Sequence, residues 1–193
     1  MFRITQSCNR ADEPDLTAGL LTEVRRRLDE YIYEVGPRSM PEVVKDLLEE
    51  KKLTIGIAES CTAGLAAAAL TDIPGASKIF RGGVIAYDNQ VKERILQVPA
   101  AIIDQYGAVS EECAVAMAKG CRNVINSDIA ISITGIAGPD GGSPGKPVGL
   151  VWLAVDGAKG TKTRRILSGG NRARIRKVAV LNALDLARRY LIS

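Results

Sequence analysis

Apolar positions Leu21, Val24, Leu28, Tyr31 and Ile32 recur at helical spacing, and Arg25, Arg26 and Arg27 fall largely off that stripe. The spacing predicts a helix over 16–35, ended by Gly36 and Pro37. Ser39 then opens a second helix, with Pro41 in its first turn and Glu42 placed to complete a capping box. Val43, Val44, Leu47 and Leu48 form its apolar face. From residue 53 the pattern alternates. Short apolar runs predict buried strands over 53–58 and 128–133, and further strands over 80–87, 148–156 and 162–167. Helical patterns cover 62–70, 89–96, 100–105 and 174–191, and a longer one, capped by Ser110, carries Cys113, Met117, Cys121 and Val124 on one face. The alternation predicts an α/β fold: a three-layer α/β/α sandwich around a mixed, mostly parallel sheet. The last two strands are joined closely through 157–160, which makes that pair antiparallel. Residues 1–52 are expected to form an N-terminal helical hairpin and residues 53–193 the main domain.

Composition narrows the chemistry. Hydrophobic residues make up 46% of the 193-residue chain, enough for a real core, and charged residues 25%, close to the globular average. Aromatics at 4% are too few for a stacking surface along single-stranded nucleic acid. There is no histidine, so neither a Ser-His-Asp triad nor a Cys-His dyad can form within the chain. The four cysteines, Cys8, Cys61, Cys113 and Cys121, show no CxxC spacing, and a Cys/His zinc site is not expected. No export signal and no bilayer-length apolar run are evident, and free thiols fit a cytoplasmic location. The net charge is +4, and between Lys159 and Arg189 ten basic residues face only Asp185. That stretch reads as a solvated helix face, a site for a phosphate-bearing small molecule, or a nucleic-acid surface.

Three segments carry candidate chemistry. In "TIGIAESCTAG" an apolar strand stops at Glu59, and Ser60, Cys61 and Thr62 follow before an alanine-rich helix. Ser60 or Thr62 could simply cap that helix, or one of the three could be a nucleophile at the carboxyl end of a strand. In "GIAGPDGGSPGKPVG", residues 135–149, glycines permit close backbone approach to an anion. The segment is not a Walker loop, because Gly145-Lys146 is followed by Pro147. It is either a ligand loop or a long flexible hairpin. In "YDNQVK", Tyr87 and Lys92 are the proton carriers available to a chain without histidine. A lysine serves a serine nucleophile as base if its pKa falls from about 10.4 toward neutrality; otherwise Lys92 is an ordinary exposed helix lysine.

Taken together in order, "AESCTAG", "GGVIAYDNQVK", "GAVSEECAVAMAKG", "SITGIAGPDGGSPGKPVGLVWLAV" and "SGGNRARIRKVAV" resemble the C-terminal domain of the CinA competence/damage-inducible family, from about residue 53 to 191. Upstream, "LTEVRRRLDEYIYEVGPRSMPEVVKDLLEEKKLT" resembles the linker of two-domain members, and the first dozen residues look like the remnant of a preceding domain. The family commonly has two glycines after "AESCT"; the first is Ala63 here, which is expected to be accommodated in the helix.

The resemblance implies a nicotinamide-nucleotide amidase, converting nicotinamide mononucleotide to nicotinic acid mononucleotide and ammonia in pyridine nucleotide salvage. Carried over by motif, Ser60 is the nucleophile, Lys92 its base, and Tyr87 orients Lys92 or relays the proton. The Cys61 or Thr62 amide at the helix start is expected to hold the oxyanion, and Gly138, Gly141, Gly142 or Arg172 the substrate phosphate. Glu59, Asn89, Thr134, Gly135, Asp140 and Lys146 complete the expected substrate-binding set. No metal and no organic cofactor are implied. The expected partners are a phosphate-bearing pyridine nucleotide and a second copy in a homodimer, with no membrane. Two other readings stay open: a competence- or damage-associated nucleic-acid-binding domain, and a regulatory module that binds a pyridine nucleotide without turnover.

Overall fold

The computed structural model describes residues 17–193; the first dozen residues, Cys8 and Leu16 lie outside them. The chain divides into two compact units between Pro37 and Arg38. The first holds α1 (Thr17–Leu28) and a one-turn 3-10 helix (Asp29–Tyr31), and no residue of α1 is buried. The helix expected over 16–35 therefore stops at Leu28. The run Tyr31-Ile32-Tyr33 that follows is aromatic and β-branched, with weak helix propensity.

The second unit begins one helix earlier than expected. In α2 (Met40–Lys51) the Glu42 carboxylate accepts both the amide and the hydroxyl of Ser39, as the capping-box pattern predicts. Met40, Val43, Val44 and Leu48 are buried on its inner face, against α3 (Leu65–Thr71) and α7 (Arg172–Ile192). An apolar face of that size needs a partner, and the main body supplies it. The division thus falls at residue 37/38, not 52/53, and α2 is part of the main domain.

Five strands form one sheet in the order β2-β1-β3-β4-β5: β1 (Ile55–Glu59), β2 (Phe80–Ile85), β3 (Ile129–Gly135), β4 (Leu150–Gly157) and β5 (Gly160–Leu167). β1 pairs in parallel with β2 and β3, whereas β3–β4 and β4–β5 are antiparallel. The sheet is mixed, with the two kinds of ladder equal in number, so it is not mostly parallel.

The central strands read as unbroken apolar runs, yet their two faces differ. Ile57, Ile131 and Val155 are cross-strand neighbours, as are Ala58, Ser132 and Ala154. The small face, with Gly56 and Ala130, lies under α6 (Glu111–Ile125), where Cys113, Met117 and Cys121 are fully buried and Ser132 donates to the Ala114 carbonyl. The large face meets α7. α4 (Asn89–Arg94) and α5 (Ala100–Tyr106) follow β2.

This topology places the site. From β1 the chain goes to β2 on one side, then crosses to β3 on the other. A ligand crevice opens where strand order reverses in this way, off the carboxyl ends of the parallel strands. Glu59, Ile85 and Gly135 end β1, β2 and β3 at that edge, beside the start of β4.

Candidate active site

The nucleophile candidate stands on a turn, not on a helix. β1 ends at Glu59, and α3 begins only at Leu65. Between them the Ser60 amide continues the sheet by donating to the Ile133 carbonyl at 2.9 Å, and the Ala63 amide donates back to the Ser60 carbonyl at 3.1 Å. Neither Ser60 nor Thr62 caps α3. Glu59 does: its carboxylate, 1% exposed, accepts from the amides of Gly64, Ala66 and Ala67 at 3.0, 3.1 and 2.9 Å. Those donors occupy the group expected to bind substrate. Ala63, expected inside the helix, sits in the turn in the left-handed region at φ 49°, followed by Gly64 at 93°. Only glycine adopts such angles without steric cost.

Lys92 is the largest fully buried side chain, at 1% exposure on the short helix α4. Asp88 caps that helix by accepting from the Gln90 amide. The Nζ donates to the carbonyls of Ala86 (2.9 Å) and Tyr87 (3.1 Å). Ala86 in turn donates its amide to Glu59, the residue before Ser60, so the lysine and the serine occupy adjoining strand ends. Burial pushes the Lys92 pKa down, opposed in part by Cys113, Asp88 and Cys61. Cys61 is the alternative nucleophile, and burial raises its thiol to about 11. At neutral pH it is a thiol, which leaves the Ser60 hydroxyl as the nucleophile candidate.

The amides of Cys61 and Thr62 donate to no carbonyl or carboxylate among the described residues. They are the candidate oxyanion donors, on a turn and not at the helix start; Thr62 is fully buried, and the Cys61 amide is turned to its own thiol. Tyr87 is 59% exposed, and its hydroxyl accepts from Arg172 at 3.2 Å. The same guanidinium donates to the Gly138 carbonyl at 2.8 Å, joining α7, the glycine-rich loop and the β2–α4 connection. Ser60, Lys92, Tyr87, Cys61, Thr62, Gly138 and Arg172 thus share one edge of the sheet.

The rest of the expected set is placed differently. Thr134 spends its hydroxyl on the Ala108 carbonyl at 2.7 Å, and Lys146 spends its Nζ on the Tyr106 carbonyl at the end of α5. At Gly135 a Cβ would meet Leu150 O at 2.7 Å, so that glycine serves the β3–β4 contact. Asp140, Gly141 and Gly142 are exposed in the loop, and Asn89 is exposed at the start of α4. A cavity of about 630 Å³ lies elsewhere, between Leu96, Pro99 and Ile102 and the outer face of α6, and holds none of these residues. Its titratable lining groups are Glu111, Glu112 and Lys119 of α6.

Two features escape sequence reading. Arg176, one helical turn beyond Arg172, donates to the Thr62 carbonyl at 2.7 Å across 114 residues. The segment 106–110 also takes Lys146 and Thr134 through the carbonyls of Tyr106 and Ala108. The basic stretch is largely committed: Arg164, Arg188 and Arg189 all pair with Asp185, and Lys159 donates to the carbonyls of Tyr190 and Ser193. No helix among the described residues is long and apolar enough to cross a membrane.

The CinA C-terminal domain model matches residues 37–191, starting where the second compact unit starts. A CinA-like protein of Dictyoglomus thermophilum is 46% identical over the whole of this chain and 47% of its own length. A putative competence-damage inducible protein of Desulforudis audaxviator is 46% identical over 94% of this chain and 44% of its own. The chain spans about half the length of these curated relatives. Among solved structures, a competence/damage inducible protein of Agrobacterium tumefaciens superposes with a TM-score of 0.76 at 35% identity, covering 83% of this chain and 99% of its own. A CinA superfamily protein of Klebsiella pneumoniae gives 0.76 at 32%, covering 80% and 99%. Sequence and fold agree over the segment that carries the site, and the chain belongs to the CinA C-terminal domain family.

Proposed function

We propose that the chain hydrolyses the carboxamide of nicotinamide mononucleotide, with Ser60 as nucleophile and Lys92 as its general base. The observation that carries this reading is the seat of Lys92. A neutral amine has two N–H bonds and one lone pair. The carbonyls of Ala86 and Tyr87 take both hydrogens, and the lone pair is left for the serine proton. Burial favours that neutral form. Lys92 takes the Ser60 proton as Oγ bonds to the carboxamide carbon, and the Cys61 and Thr62 amides hold the oxyanion. Collapse breaks the C–N bond, and ammonia leaves with the proton from Lys92. Water then attacks the acyl-serine, giving its proton to Lys92, and the carboxylate product departs as Ser60 regains a proton. Arg172, held between the Tyr87 hydroxyl and the Gly138 carbonyl, meets the substrate phosphate with the N–H bonds those two partners leave over.

Purified protein is expected to release ammonia from nicotinamide mononucleotide, and Ser60→Ala and Lys92→Met each to lose at least about 10²-fold in rate. Stoichiometric nucleotide binding with no ammonia from folded wild-type protein would convert the reading to a regulatory module. A nucleic-acid role is disfavoured by the ion pairs that occupy Arg164, Arg188 and Arg189.

A further inference from the structure

The peptide between Thr62 and Ala63 is held at both ends. Its N–H donates to the Ser60 carbonyl at 3.1 Å. Its C=O accepts from the Leu65 amide at 3.2 Å and from Arg176 Nη2 at 2.7 Å. In a trans peptide these two groups point in opposite directions, so the guanidinium grips the plane from the side away from Ser60. The Arg176 contact is the shortest of the three and the one that is charge-assisted.

The plane so held borders the strained torsion. Ala63 has φ 49°, in the region that an L-residue with a Cβ avoids. Flipping the 62–63 peptide rotates that angle by about 180°, from 49° to roughly −130°, a φ open to any L-residue. The strain at Ala63 therefore favours the flip, and the three hydrogen bonds oppose it. The flip would also disturb the Cys61–Thr62 backbone, whose amides are the proposed oxyanion donors.

We infer that Arg176 is a positioning residue that locks the 62–63 peptide against this flip and so holds the nucleophile turn in its working form. The inference rests on the amidase reading for its kinetic test only. Two details fit a lock better than a substrate contact. The Arg176 Nη2 is spent on a backbone carbonyl. Thr62 itself is fully buried, so the contact lies behind the turn and not at its open side.

The test uses the full chain and a double-mutant design. Arg176→Gln is expected to lower kcat by about 10- to 10²-fold, the scale of a small misplacement of reacting groups, with KM within threefold of wild type. Glycine at position 63 removes the strain that drives the flip. Ala63→Gly alone should change kcat little, whereas Ala63→Gly in the Arg176→Gln background should recover most of the loss. Such non-additivity is the signature of coupling through a shared backbone. A rise in KM with unchanged kcat would make Arg176 a substrate-binding residue and overturn the inference. So would an Arg176→Gln loss that Ala63→Gly does not recover. Should wild-type protein release no ammonia, the amidase reading falls but the lock is still testable: hydrogen exchange at the Ala63 and Leu65 amides should quicken in Arg176→Gln and return toward the wild-type rate on adding Ala63→Gly. Exchange unchanged by Arg176→Gln refutes the lock whatever the activity.

Discussion

Glu59 closes a strand whose five residues are all buried, and its carboxylate survives there because three helix amides face it. Glutamine would keep the shape but offer one acceptor oxygen where the site uses two, and would turn an NH2 toward N–H donors. Glu59→Gln is expected to cost roughly 1–3 kcal/mol, the range for leaving buried hydrogen-bonding groups unmatched, read as a lower denaturant midpoint with an unchanged slope. Its kcat, measured on the folded fraction, should fall less than that of Ser60→Ala. The sequence "ESCT" pointed to Ser60 or Thr62 as the cap because short side chains cap helices from the neighbouring residue. What it concealed was the length of the turn. With α3 starting at Leu65, only a longer side chain anchored on the strand reaches amides five to eight residues on. Ala63 was misplaced for the same reason, and a local pattern could not show its positive φ.

At the scale of elements, α6 is set by a glycine in its middle. A Cβ at Gly120 would lie 1.8 Å from the Leu96 carbonyl oxygen. Gly120→Ala gains about 1 kcal/mol of helix propensity, but backbone cannot yield as a side-chain tip can, and overpacking of this kind costs about 1–3 kcal/mol or more. A net loss of about 2 kcal/mol in urea denaturation is expected, together with displacement of the segment after α4 that carries Leu96. Equal or greater stability would mean that α6 and that segment are not in the contact described. Element types were legible wherever one helix or strand has one exposed face, as in α2 and α6. The two faces of the central strands were less legible. Both are apolar, so polarity does not separate them; size does, with alanine, serine and glycine toward α6 and isoleucine, leucine and valine toward α7. The Arg176–Thr62 contact was illegible altogether, because it spans 114 residues and is made by one of many arginines in a basic stretch.

The whole molecule carries its titrating groups in an arrangement with a predictable alkaline limit. Burial raises the thiols of Cys61 and Cys113 to about 11 and that of Cys121 to about 12, from 9.0, while burial lowers Lys92 from 10.5. The unfolded chain sheds thiol protons above pH 9 that the folded chain keeps, so stability falls as pH rises from there. Lys92 acts in the opposite sense: its lowered pKa makes the folded chain shed that proton before the unfolded chain does, and this contribution to stability rises with pH between the lowered value and the ordinary lysine value. Three thiols oppose one amine. Above pH 9 the thiols outnumber the amine, so the net effect is a loss of stability as pH rises. On the acid side, the hydrogen bonds from Thr54 hold the Asp128 carboxyl low, and the ion pairs with Arg188, Arg164 and Arg189 outweigh burial to hold Asp185 low. Both contributions are lost as pH falls through those lowered values. Guanidinium denaturation at a series of pH values should therefore show a broad maximum ending near pH 9 and a steep alkaline decline. Lys92→Met removes the opposing amine, so its alkaline decline should be steeper than that of wild type, and below the lowered pKa of Lys92 it should gain relative to wild type because no ammonium need be buried. A wild-type curve that is flat from pH 9 to 10.5 would show that these thiols are not shielded as the core requires. A variant curve parallel to wild type would show that burial does not lower the Lys92 pKa, and would count against Lys92 as the proposed base.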